Sequence, residues 1–113
     1  MPEPERMTIT VAAVLRIFLD DITQPRYGYE LMRATGYPSG KLYPVLARLE
    51  RAGWLIKELE DIDPTAEGRP ARRLYRLSTE AVPTARSELA ALSAQLQPPA
   101  GQPRRLRPQG GLA

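Results

Sequence analysis

The run from Tyr37 to Leu55, Y-P-S-G-K-L-Y-P-V-L-A-R-L-E-R-A-G-W-L, gathers groups suited to binding an anion. Lys41 brings an ammonium, Arg48 and Arg51 bring guanidinium groups, and Ser39 and Tyr43 bring hydroxyls. Ammonium and guanidinium groups pair with phosphate oxygens, and a lysine also bonds the acceptors of guanine. Gly40 leaves room for close backbone approach. A second cationic set, Arg69, Arg72, Arg73 and Arg76, follows further along the chain. The chemistry on offer is phosphate recognition rather than bond breaking. The sequence has no cysteine and no histidine, which removes the usual zinc ligands, the commonest general base and the Cys–His and Ser–His pairs. Asp20 and Asp21 are adjacent acids at a helix end, where such groups are ordinarily solvated. The reading is therefore no enzyme, no metal and no cofactor.

The elements that must position these groups fit within 113 residues, the length of one small domain. Net charge is +3, compatible with a nucleic-acid partner. The start, M-P-E-P-E-R-M, carries acids and lacks an apolar stretch, so it does not read as a signal peptide. No apolar run approaches membrane-spanning length. The expectation is a soluble cytoplasmic protein without membrane contact.

In chain order, residues 1–7 read as a disordered arm. Thr8 to Asp20 reads as a helix with a broad apolar face from Ile9, Val11, Val14, Leu15, Phe18 and Leu19. Tyr27 to Thr35 reads as a short helix stopped by Gly36. Pro38 holds Tyr37 extended, Ser39 is the expected cap of the next helix, and Leu42, Val45, Leu46 and Leu49 recur at helical spacing up to Gly53. Pro44 removes one bond of that helix, to the Gly40 carbonyl, and predicts a slight bend or a tight first turn. Two short helices across a tight glycine-containing turn, the second basic, form a helix-turn-helix pattern.

Trp54–Glu60 and Arg72–Leu77 read as two strands joined by a long, flexible tip, D-I-D-P-T-A-E-G-R-P-A. Charge is segregated along this hairpin, acids first and arginines after, so one arm is expected to repel phosphate and the other to attract it. Ser78 or Thr79 then caps a last helix with Val82, Ala85, Leu89, Leu92 and Leu96 on one seam. The seam and the spare apolar surface of the first helix predict a homodimer built from Val11, Leu15, Phe18, Val82, Ala85, Leu89, Leu92 and Leu96. The alternative is packing of the last helix on its own domain. Residues 98–113 are rich in proline and glycine and read as a disordered tail carrying Arg104, Arg105 and Arg107. The expected fold is mainly α with a small β-hairpin, a winged helix-turn-helix of order α-α-α-β-β-α. Residues 8–78 would bind DNA and 79–97 would dimerise.

The pieces Y-G-Y-E-L (27–31), S-G-K-L-Y-P-V-L-A-R-L-E-R-A-G-W-L (39–55) and G-R-P-A-R-R-L-Y-R-L-S (68–78) resemble the PadR family of bacterial winged-helix transcriptional regulators. The likeness spans roughly residues 8–96. Lys41 stands where threonine is common, Trp54 where leucine is usual and Ala81 where glycine is frequent. The resemblance implies a homodimeric repressor of an inverted-repeat operator, released by a small molecule or another signal. Some short members bind flat aromatic compounds with aromatic residues of the last helix. That helix has none here, so no ligand is assigned and the effector stays unknown.

The DNA contacts expected from this reading are Tyr27, Tyr29, Ser39, Gly40, Lys41, Tyr43, Pro44, Arg48, Arg69 and Arg72. Arg73 and Tyr75 are read as structural. Loss of Lys41 and Arg69 together is expected to weaken DNA binding without unfolding the chain. The rival reading is a winged helix that meets another protein and no DNA.

Overall fold

The computed structural model describes residues 2–97; the expected tail, with Arg104, Arg105 and Arg107, lies outside the described residues. Helix α1 covers Ile9–Asp20, strand β1 Arg26–Tyr27, helix α2 Gly28–Thr35 and helix α3 Ser39–Arg51. Strand β2 (Leu55–Leu59), a one-turn helix α4 (Pro64–Glu67) and strand β3 (Arg73–Leu77) form the wing. A 3₁₀ turn, Thr79–Ala81, leads into helix α5, Val82–Gln95. Among the described residues no helix is long and apolar enough to cross a membrane.

Local chemistry sets most of these boundaries. The Thr8 hydroxyl accepts from the Val11 amide at 3.1 Å and caps α1. The Glu30 carboxylate reaches back to the Tyr27 amide at 3.0 Å, half of a capping box on α2. Gly36, with φ 77°, closes that helix in the left-handed region. Helix α3 ends in a Schellman arrangement: the Trp54 amide donates to the Leu49 carbonyl and the Gly53 amide to Glu50, with Gly53 at φ 83°. Its start differs from expectation. The cap is Pro38, whose carbonyl accepts from the Lys41 and Leu42 amides, and Ser39 is the first helical residue with no capping bond. A proline is tolerated there because a cap residue needs no amide hydrogen. The helix runs unbroken through Pro44.

The sheet holds three strands in the order β1-β3-β2, all antiparallel. Leu55 faces Leu77 and Leu59 faces Arg73, while Arg26 and Tyr27 pair with Tyr75 and Leu74. Strand β1 was not expected, because two residues are too short to show an alternating pattern. The wing tip is also more ordered than the expected flexible connection. Asp63 caps α4 through the Thr65 amide, and Gly68, at φ 69°, ends it.

One core joins helices α1, α2, α3 and α5 with strands β2 and β3. Val11, Val14, Leu15 and Phe18 of α1 pack with Leu31 of α2, with Leu42, Leu46 and Leu49 of α3, and with Trp54, Tyr75, Leu77 and Ala85. Each buried leucine stabilises the fold by about 1.5–3 kcal/mol relative to exposure. The expected disordered arm instead docks on this core. The Glu3 amide donates to the Ala52 carbonyl at 2.8 Å, and the Trp54 indole N–H donates to the Glu3 carbonyl at 2.6 Å. A buried indole N–H needs an acceptor, and the arm supplies it.

Candidate nucleic-acid interface

Burial of Leu42, Val45, Leu46 and Leu49 turns the other side of α3 to solvent. Ser39, Gly40, Lys41, Tyr43 and Pro44 are all exposed, and they lie on the N-terminal half of the helix. The space beside the Gly40 Cα is open. The Lys41 ammonium sits 4.5 Å from the centre of the Tyr37 ring, a cation–π contact that limits its wandering yet leaves it accessible. The Tyr43 phenol rests against Gly28, in space that a Cβ there would fill.

A cleft of about 380 Å³ lies between the start of α2, Tyr43 of α3 and the β3 side of the sheet, lined by Tyr27, Gly28, Tyr29, Tyr43, Arg72, Arg73 and Tyr75. Tyr29 projects at its rim, 64% exposed. Arg33, one helical turn on, donates to the Tyr29 hydroxyl at 3.4 Å and lies 5.9 Å from its ring. Arg33 was missed as a candidate, although its spacing of four from Tyr29 puts both on one face. Arg72 lies 5.3 Å over the Tyr27 ring and is exposed. Arg73 and Tyr75 part company. Tyr75 is buried, and burial, with Tyr43 beside it, pushes its phenol up. Arg73 is exposed and lines the cleft, with no ion pair among the described residues.

Three expected contacts have partners within the chain. Arg48 is bound to Glu5 of the arm at 2.8 Å. Arg69 grips Glu60 with both terminal nitrogens, at 2.6 and 3.1 Å. The Tyr27 hydroxyl donates to the same carboxylate at 3.0 Å. Glu60 is held at a pKa of about 2, first by the Arg69 bond, then by the Arg72 amide and the Tyr27 hydroxyl, against the opposing effect of burial. The expected split of the hairpin into a repelling and an attracting arm is thus corrected. Glu60 pairs with Arg69 and Glu58 with Arg76, at 3.3 Å, so the opposed charges largely cancel. Among the described residues near the cleft, Lys41, Arg33, Arg72 and Arg73 are exposed and make no ion pair.

The expected dimer surface is also redrawn. Val11, Leu15, Phe18 and Ala85 are at most 1% exposed, and Val82 is buried with them, so none of the five is available to a partner. Leu89 and Leu92 are half-buried, and Leu96 is 67% exposed. With Ile9, which is 57% exposed, and Ala13 and Arg16 they line an apolar groove of about 600 Å³ between α1 and α5. The seam of α5 therefore splits, its first half packing on its own domain and its second half remaining open.

A helix-turn-helix with an exposed leading half of its second helix, flanked by a β-hairpin, defines a winged-helix domain. The chain belongs to the PadR-like family of transcriptional regulators, whose model matches residues 14–81. No curated protein sequence matches it. The S. aureus MepR–DNA complex shares the fold, with TM-score 0.62 at 13% identity over 80% of this chain and 68% of that one. The smu.1704 protein of Streptococcus mutans UA159 gives TM-score 0.55 at 21% identity, covering 77% of this chain and 74% of its own. A Streptococcus transcriptional regulator is 26% identical, with TM-score 0.52, over 80% of this chain and 95% of that one.

Proposed function

We propose that this regulator is a homodimeric repressor that binds a pseudo-palindromic operator through α3 and the wing. The observation that carries the reading is the exposed edge Ser39-Gly40-Lys41 with Tyr43 and Pro44, framed by Tyr29, Arg72 and Arg73. Cationic and hydroxyl groups converge there on the helix end that enters a major groove in winged-helix proteins. Ser39, Lys41 and Tyr43 face base edges, while Tyr29, Arg72 and Arg73 meet phosphate. That the MepR structure, of like fold, is a DNA complex supports the reading.

One such domain makes few phosphate contacts and binds weakly at physiological salt. The open α1–α5 groove supports pairing with a second copy, which would place two α3 helices on half-sites roughly 34–36 Å apart. Because Arg69 is bound to Glu60, the informative double variant is Lys41→Ala with Arg72→Ala. In a gel-shift assay with DNA from the gene's own promoter, this variant loses binding while its circular dichroism is unchanged. Binding at wild-type strength would overturn the contact assignment. Transcription from that promoter rises when the gene is deleted if the protein represses.

A further inference from the structure

Glu60 stands where β2 ends, and its carboxylate takes four donors from three parts of the fold. Arg69 of the wing loop gives two, the Arg72 amide of the returning arm gives one at 3.2 Å, and the Tyr27 hydroxyl, just before α2, gives the fourth. These bonds use most of the acceptor sites that a carboxylate has. The Glu60 side chain is only 11% exposed, unlike the 46% of its neighbour Glu58. Tyr27 is the joint on the other side. Its amide is held by Glu30, its ring lies under Arg72 and its backbone pairs with Leu74.

We propose that Glu60 is the positioning residue of the wing, tying it through Tyr27 to the first turn of α2 and so setting its angle to α3. The inference rests on the DNA-binding reading above. Apart from this carboxylate, the start of α2 holds the wing through the short β1–β3 ladder and the Tyr27–Arg72 stack. Buried Leu55, Tyr75 and Leu77 fix the inner ends of β2 and β3, and Lys57 pairs with Glu50 of α3 at 3.6 Å, whereas the outer end of the ribbon, with its long connection, is tied to α2 at Glu60. Charge alone would argue the reverse. An acid between arginines repels phosphate and neutralises Arg69, and its removal should strengthen DNA binding. Positioning and repulsion therefore predict effects of opposite sign on operator binding.

The test uses the full-length protein and the variants Glu60→Gln and Tyr27→Phe. The probes are a duplex selected by the wild-type protein from a random pool and a scrambled duplex of the same composition. Tyr27→Phe keeps the Glu60–Arg69 pair and removes only the tie to α2. Both variants are expected to bind the selected duplex roughly tenfold more weakly, the scale of one hydrogen bond to a charged group. Binding of the scrambled duplex by Glu60→Gln stays level or rises, because Arg69 is released. Amide hydrogen exchange should quicken at Arg72 and across residues 61–71, and stay slow at Leu15 and Leu46. Glu60→Gln binding the selected duplex as tightly as wild type, or more tightly, overturns the proposal. If the wild-type protein selects no duplex, the DNA reading falls, and unchanged exchange in the wing would overturn the positioning role independently.

Discussion

The Tyr43 phenol lies in the space that a side chain on Gly28 would need, so the leading half of α3 leans directly on the first turn of α2. This contact joins the two helices of the motif at the edge of the cleft. Gly28→Ala should push the phenol outward, since the ring is 40% exposed and has room on that side. Stability should fall by about 1 kcal/mol, the low end for overpacking. On the proposed DNA contacts, affinity for promoter DNA should fall further than that loss explains, because Tyr43 leaves its place beside α2. Urea unfolding and gel shifts on the same preparation separate the two effects.

The division of the α1 and α5 apolar residues into buried and open sets predicts two distinct phenotypes. Leu15→Ala empties a fully buried site and should cost about 2–5 kcal/mol of stability. Leu96→Glu changes an exposed residue and should leave the unfolding midpoint nearly unchanged. If the proposed dimer forms through the α1–α5 groove, Leu96→Glu should shift sedimentation from dimer to monomer, since a charge would enter that apolar groove. A dimer that survives Leu96→Glu and Ile9→Glu together would place the contact elsewhere.

Acid stability should depend on Glu60. Its folded pKa, about 2, lies below the ordinary 4.5, so the folded state favours the ionised form. The resulting stabilisation is complete above about pH 4.5 and fades as pH falls toward 2. Wild-type Tm should therefore drop across that window more steeply than that of Glu60→Gln. Asp21, lowered by the Thr23 hydroxyl and amide, titrates in both proteins, so their difference isolates Glu60.

The arm holds Arg48 away from solvent anions through Glu5. Glu5→Gln should free the guanidinium and raise affinity for random-sequence DNA at low salt. The pair is partly exposed, so stability should change by less than about 1 kcal/mol. Fluorescence anisotropy with a random duplex across a salt series reads the effect as a steeper salt slope. An unchanged slope would mean that Arg48 does not reach phosphate.

Legibility in the sequence followed the range of the interaction. Gly36 and Gly53 ended their helices where expected, because a left-handed turn is required within a few residues of the last apolar position. The exposed set Ser39, Gly40, Lys41, Tyr43 and Pro44 was readable because the apolar spacing of α3 assigns the opposite side to solvent. Arg33 carried no signal of its own, since one arginine on a short helix reads equally as a solvated surface residue. Strand β1 had no readable signal, since its two residues become a strand only when β3 arrives beside them.

By itself, the sequence determined the periodic helices, their stops, the hairpin and the absence of cysteine and histidine chemistry. These depend on backbone geometry and residue type over short stretches. Only the tertiary structure decided which cations stay open. Arg48 finds Glu5, forty-three positions away, and Arg69 finds Glu60, which also takes the hydroxyl of Tyr27 from thirty-three positions away. Nor does the spacing of α5 tell which half of its seam is consumed by α1 and which half is left open. Ion pairing and burial act over a few ångströms of space, and sequence distance sets no limit on which groups the fold brings that close.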